Sequence, residues 1–204
     1  MEVRVLSWAP EFMLHIPVVL GSVREGRKSI FPAQFLVEKI NSLGHHSELV
    51  DFKTLPLPFF NSEFMPIALK GQYPNENVQK WSEIALQADA LVLVLPEYNH
   101  SFPAVIKNAL DWLYKEFEKK PFGLVGVSEG MFGGVRAVEH IRPVIENFGA
   151  FALREIITFG KVAGLFDPQG KILDDSYNKK VDGFLASLIL HAETFKPLRP
   201  QLTK

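Results

Sequence analysis

Two runs in the chain, Ala90 to Leu95 and Phe122 to Val127, contain no polar side chain and show no alternation of apolar with polar positions. A strand with one face in water alternates, whereas a strand covered by helices on both faces does not, so these runs predict central strands of a parallel sheet. Between them Val105, Ile106, Ala109, Leu110, Leu113 and Phe117 recur at spacings of three and four, the period of a helix with one buried face. The pattern predicts a helix over about 102–119, capped by Ser101, with Pro103 in the first turn, where a missing N–H is tolerated. Strand, helix, strand in this order is a right-handed crossover unit.

The same periodicities extend through the chain. They predict strands at 18–20, 47–50 and 151–158, and helices at about 32–43, 77–88, 135–148 and 174–195. Five strands alternating with five helices predict a single α/β domain over residues 14–204, an open doubly wound sheet with its ligand crevice at the carboxyl ends of the strands. Pro17 cannot donate to a ladder and is expected as the first residue of the first strand. Residues 52–75 hold Pro56, Pro58, Pro66 and Pro74 among Phe59, Phe60 and Phe64, and are predicted to form a long ordered loop. Its rings either pack over the sheet edge, shield one side of a flat ligand, or meet a second subunit.

Charge and composition narrow the function. With 22 basic and 23 acidic residues, the formal charge is -1, and there is no basic footprint for nucleic acid or an anionic membrane surface. The apolar stretch from Phe12 to Leu20 is interrupted by His15 and Pro17 and falls short of the roughly 20 residues a membrane helix needs. Residues 1–13 lack a secretory pattern and are a leader to which no role is assigned; a cytoplasmic protein is expected. No cysteine is present, so neither a thiolate metal site nor a redox thiol exists; no metal is expected, and redox chemistry would need a bound cofactor.

Three loops follow the predicted central strands. The first, 21–29, offers Ser22, Ser29, Arg24 and Arg27 at a helix N-terminus, a donor set complementary to a phosphate monoester, although a solvated strand-to-helix connection has the same composition. It fits neither the G-x-G-x-x-G dinucleotide fingerprint nor the nucleotide P-loop, because Arg27 stands where that motif has lysine directly after its second glycine. The second, Pro96-Glu97-Tyr98-Asn99-His100-Ser101-Phe102-Pro103, offers a stacking ring, an amide and backbone donors for the edge of a planar heterocycle, or is a proline-bracketed turn whose tyrosine packs on its neighbours. The third, Ser128-Glu129-Gly130-Met131-Phe132-Gly133-Gly134, has three glycines that permit close backbone approach and leave space for a second flat molecule, or serve a turn needing positive φ.

In this order and spacing the loops resemble the NADPH-dependent FMN reductase family, which also includes quinone and azo-compound reductases, over about residues 14–195. The most specific part is Pro96-Glu97-Tyr98-Asn99 continuing through Ser101, Pro103, Lys107-Asn108-Ala109 and Asp111-Trp112. The resemblance implies a flavodoxin-like sheet of order 2-1-3-4-5 that binds FMN. Its phosphate would lie on Ser22, Arg24 and Ser29, assisted by Arg27, and its ring between Pro96, Glu97, Tyr98 and Asn99 on one side and Ser128, Glu129, Gly130 and Gly133 on the other. It further implies hydride transfer from NADPH or NADH to FMN N5 and then to a planar acceptor in ping-pong turnover, with no catalytic side chain. The family's homodimer, or dimer of dimers, would pack through the helix after the second loop, making Trp112 and Phe117 interface candidates or else core. A non-enzymatic electron carrier is the alternative, which a charge of -1 equips poorly for docking on a basic partner. A flavin-binding regulator that has lost turnover is a further one.

Overall fold

The computed structural model describes residues 13–199. Its strands are β1 (Val18–Leu20), β2 (Leu49–Asp51), β3 (Leu91–Pro96), β4 (Pro121–Val127) and β5 (Phe151–Phe159), all paired in parallel in the order β2-β1-β3-β4-β5. The helices are α1 (Ile30–Ser42), α2 (Pro66–Leu69), α3 (Glu76–Gln87), α4 (Ala104–Asp111), α5 (Val135–Asn147) and α6 (Ser176–Phe195).

Successive residues of β3 explain its unbroken apolar run. Val92 and Val94 join a core with residues of α1 and α6, such as Leu36, Leu185 and Leu188. Leu91, Leu93 and Leu95 join a second core with Trp81 of α3, Leu110 of α4 and Ile141 of α5. Both faces of the strand are therefore covered, the arrangement that makes a parallel strand apolar at every position.

Pro17 lies just ahead of β1 rather than inside it. Ile16 and Val18 donate to β2-side carbonyls of His46 and Glu48, while the Pro17 carbonyl accepts from Val92, so no ladder bond needs a proline N–H. Pro32 sits in the first turn of α1, where N–H groups have no intrahelical acceptor.

The helix expected over about 102–119 is shorter than predicted. It ends at Asp111, and a separate 3-10 turn at Lys115–Phe117 carries Phe117 into the core. The expected Ser101 cap is also replaced. Pro103 occupies the cap position without a side-chain bond, and the Ser101 hydroxyl pairs instead with His140 Nδ1 at 3.1 Å.

The proline-rich stretch after β2 is ordered and includes the short α2. Asn108 pins it, accepting from the Phe60 N–H at 2.8 Å and donating to the Pro58 carbonyl at 2.9 Å, and Trp112 Nε1 donates to that same carbonyl at 2.8 Å. Trp112 and Phe117 are 2% and 0% exposed, so neither is available to a second subunit within this fold. Both are core, Trp112 edge-on to Phe60 and Phe117 among Trp81, Phe122 and Phe148. Among the described residues no helix is long and apolar enough to cross a membrane.

Candidate functional site

The loops after β1, β3 and β4 meet at the carboxyl ends of the sheet, beside the point where strand order reverses between β1 and β3. Gly21 leaves β1 with its N–H on the Val94 carbonyl at 2.8 Å, and a Cβ there would lie 2.5 Å from the same oxygen. Gly21→Ala is accordingly expected to force the two central strands apart at the mouth of the crevice and destabilise the fold by about 1 to 3 kcal/mol, read by urea unfolding.

Ser22 is fully buried, its Oγ 2.6 Å from the Tyr98 hydroxyl and accepting the Arg24 N–H at 3.3 Å. The exposed Arg24 guanidinium lies over the Tyr98 ring, 5.4 Å from its centroid. Arg27 turns inward. Its Nη1 donates to the Ser22 carbonyl at 2.6 Å and to Asp51 Oδ1 at 2.9 Å, and its Nη2 donates to Asp51 Oδ2. This two-pronged pair, 13% and 11% exposed, ties the loop to the end of β2 and leaves Arg27 engaged as a brace. Asp51 escaped the sequence reading, because nothing in a three-residue edge strand marks its last carboxylate as a partner for a residue so far back in the chain. Ser29 is buried and stands ahead of α1, yet its side chain caps none of the helix N–H groups. In the first turn of α1 Phe31 donates to the Lys28 carbonyl, Pro32 has no N–H and Ala33 donates to the Ser29 carbonyl, so the donors there for an anion are the Ser29 hydroxyl and the Ile30 N–H.

The second loop is a tight hairpin. Tyr98 and Ser101 exchange both backbone bonds, at 2.9 and 3.0 Å, and Asn99 and His100 between them both have positive φ, 49° and 66°. That is the two-residue turn that matches strand twist, and asparagine is among the residues that tolerate it. Pro96 ends β3. Glu97 directs its carboxylate to the start of α5, accepting from the Arg136 N–H at 3.2 Å and from its guanidinium at 3.1 Å, where the positive end of the helix favours it. Asn99 is exposed at the turn tip.

In the third loop Gly133 and Gly134 serve the protein's own backbone. A Cβ on Gly133 would fall 2.7 Å from Thr158 Cβ, and one on Gly134 would fall 2.6 Å from the Val127 nitrogen. Gly130 differs: it is exposed, and the nearest atom to its added Cβ is Ser128 Oγ at 3.5 Å, an ordinary contact. Ser128 Oγ donates to the Gly130 carbonyl at 3.1 Å, and Glu129, Met131 and Phe132 are exposed beside it. A cleft of about 830 Å3 lies elsewhere, between α2, α3 and the Lys115–Phe117 turn, and is lined by none of these loop residues.

For a phosphate monoester bearing a planar ring the donors fit: buried hydroxyls of Ser22 and Ser29 and a free-standing Arg24 at one end, a tyrosine and a backbone turn at the other. A parallel sheet of order 2-1-3-4-5 with its crevice in this position defines a flavodoxin-like protein. Residues 14–164 match the model of the NADPH-dependent FMN reductase family, and the chain belongs to that family of oxidoreductases. An NAD(P)H-dependent FMN reductase of Pseudomonas aeruginosa is 30% identical over 177 residues, covering 84% of this chain and 91% of that protein. A quinone reductase of Escherichia coli is 28% identical, covering 85% and 93%. Among solved structures, the flavoenzyme NAD(P)H:(acceptor) oxidoreductase FerB of Paracoccus denitrificans superposes with a TM-score of 0.74 at 22% identity, over 90% of this chain and 99% of that one, a likeness of fold.

Proposed function

We propose that the chain is an FMN-dependent reductase that takes hydride from NADPH or NADH and passes two electrons to a quinone, an azo compound or free flavin in ping-pong turnover. The observation that carries this reading is the tie between the first two loops. Ser22 Oγ meets the Tyr98 hydroxyl at 2.6 Å and Arg24 spans both, so a phosphate-type donor set and a ring-type edge face one crevice. The FMN phosphate belongs on Ser22, Arg24, Ser29 and the first turn of α1. Arg27 acts behind it by holding the Ser22 carbonyl.

Pro96, Glu97, Tyr98 and Asn99 flank the ring on one side, contributing chiefly backbone since the Glu97 carboxylate is engaged with Arg136. Ser128, Glu129, Gly130 and Gly133 flank it on the other, and the exposed chain at Gly130, which carries no side chain, suits a stacked nicotinamide or acceptor. When bound, FMN supplies hydride acceptance and donation at N5, while the chain orients the reactants and needs no side-chain acid or base. The names of the Pseudomonas and Escherichia relatives support a nicotinamide donor and a quinone-type acceptor. We also propose a cytoplasmic location and a homodimer or dimer of dimers, its contacts made by residues other than Trp112 and Phe117, which sedimentation velocity will read.

Steady-state turnover of the FMN-loaded chain with both nicotinamides against a panel of quinones, azo dyes and flavins tests the activity. Parallel double-reciprocal lines are expected, and failure to oxidise either nicotinamide with every acceptor would overturn it. Arg24→Ala tests the phosphate end. Loss of a charge-assisted bond worth about 1.5 to 3 kcal/mol should weaken FMN retention by roughly 10- to 150-fold with an unchanged circular dichroism spectrum, since the Arg24 side chain is exposed.

A further inference from the structure

At the opposite end of the sheet from these loops, the pairing of β1 with β2 gathers three metal-ligating side chains that the reductase reading leaves unused. His15 and His46 form a parallel bridge just ahead of their strands, with Ile16 donating to the His46 carbonyl and His46 to the Leu14 carbonyl, both at 2.8 Å. Paired residues project to the same face, and so does Glu48, two positions beyond His46. The two imidazoles consequently stack, centroids 4.8 Å apart and planes 15° from parallel, and His15 Nε2 lies 3.1 Å from Glu48 Oε1. One ligating atom from each of the three residues lies within 4.8 Å of the others.

We propose that His15, His46 and Glu48 bind one borderline divalent cation, Zn2+ foremost, with Cu2+ and Ni2+ as members of the same class. Two imidazole nitrogens and a carboxylate oxygen are the donor set such ions favour, and a His2Glu set leaves a coordination position for water. Ligands around a tetrahedral zinc stand at about 2.0 to 2.2 Å from it, so the three ligand atoms, now within 4.8 Å of one another, would draw closer around the ion while the bridge holds the backbone of His15 and His46. His46 is exposed, Glu48 is partly exposed and the His15 side chain is 14% exposed, so the ion reaches the cluster from solvent.

The position sets the role. Ser22 lies seven residues beyond His15 along an extended strand, about 20 Å at the usual rise, too far for the ion to touch a ligand in the crevice. It would instead clasp the edge strand β2 to β1. An ion that binds the folded chain in preference to the unfolded one raises stability by mass action.

The experiment uses the full chain, free of any affinity tag and stripped with EDTA, titrated with ZnCl2 by calorimetry and followed by thermal denaturation. One ion per chain with a saturating rise in melting temperature is expected, with flavin content unchanged. Cu2+ bound in its place should give an electron paramagnetic resonance spectrum with hyperfine splitting from two nitrogens. His46→Ala, at an exposed position that leaves folding intact, should lower zinc affinity by about 100-fold or more, given that loss of even an outer-shell partner costs about 10- to 100-fold, and reduce the splitting to one nitrogen. His191→Ala, on α6, should change neither. Absence of stoichiometric binding, or equal affinity in the parent and His46→Ala chains, would overturn the site.

Discussion

Asp51→Ala is expected to destabilise the protein by about 3 to 5 kcal/mol, a fall in melting temperature of roughly 10 °C for a chain of this size, and to weaken flavin binding at the same time. The loss is large because the substitution strands the Arg27 guanidinium, 13% exposed, without its carboxylate, and also removes the acceptor for the Lys53 N–H. Taking away both partners separates the two consequences. In Arg27→Met/Asp51→Ala no unpaired charge remains, so most of the stability should return. Flavin retention should not return, because the Ser22 carbonyl has lost the Nη1 donor that sets the loop. Arg24→Ala should do the reverse, sparing stability and costing flavin affinity. Thermal denaturation and equilibrium dialysis on the three variants decide the matter: recovery of flavin affinity alongside stability in the double variant would mean that Arg27 braces the fold but not the phosphate loop.

Arg24 and Arg27 look interchangeable in sequence, and their separation shows what the chain could and could not disclose. Strand position, loop placement and the helix beginning after Ser29 are local properties, carried by apolar runs and a switch in periodicity, and they emerge close to the predicted boundaries. The Arg27 brace depends on where the edge strand β2 ends, which periodicity cannot supply. The helix after β3 overshoots in prediction for a related reason. Leu113 and Phe117 keep the helical spacing and are indeed buried, but the chain between them is drawn out of the helix by Glu116. That carboxylate, 4% exposed, accepts from the Tyr73 hydroxyl at 2.6 Å, the Ser82 hydroxyl at 2.8 Å and the Tyr114 N–H at 3.1 Å. Those donors come from the end of the proline-rich loop, from α3 and from its own turn, a convergence that only the tertiary fold creates. Burial beside this carboxylate in turn pushes the Tyr73 hydroxyl far above its ordinary value. Tyr98 follows the same rule. Its ring was legible as a stacking surface, whereas its bond to Ser22 joins loops 76 residues apart.

Lys120→Met is expected to flatten the pH dependence of stability on the alkaline side. Lys120 lies just ahead of β4, 4% exposed, with Nζ donating to the carbonyls of Ala85 and Leu86 at the end of α3. Burial, aided by the nearby Arg199 guanidinium and opposed by the Asp89 and Glu116 carboxylates, pushes the amine down to about 7 from an ordinary 10.5. Between those two values the unfolded chain holds the proton and the folded chain does not, so stability should climb as pH rises through that window. Below about 7 both states are protonated and the cost of burying the charge is constant. Methionine cannot titrate, and its apolar stem occupies the same space. It leaves the two carbonyls without their donor, but that cost does not change with pH, so the slope rather than the offset reports on the amine. Relative to the parent, the variant should fare best near pH 7 and lose its advantage toward pH 10, by up to about 1.4 kcal/mol per pH unit. Urea unfolding of both chains across this range gives the slopes directly, and parallel curves would show that the buried amine keeps its proton throughout.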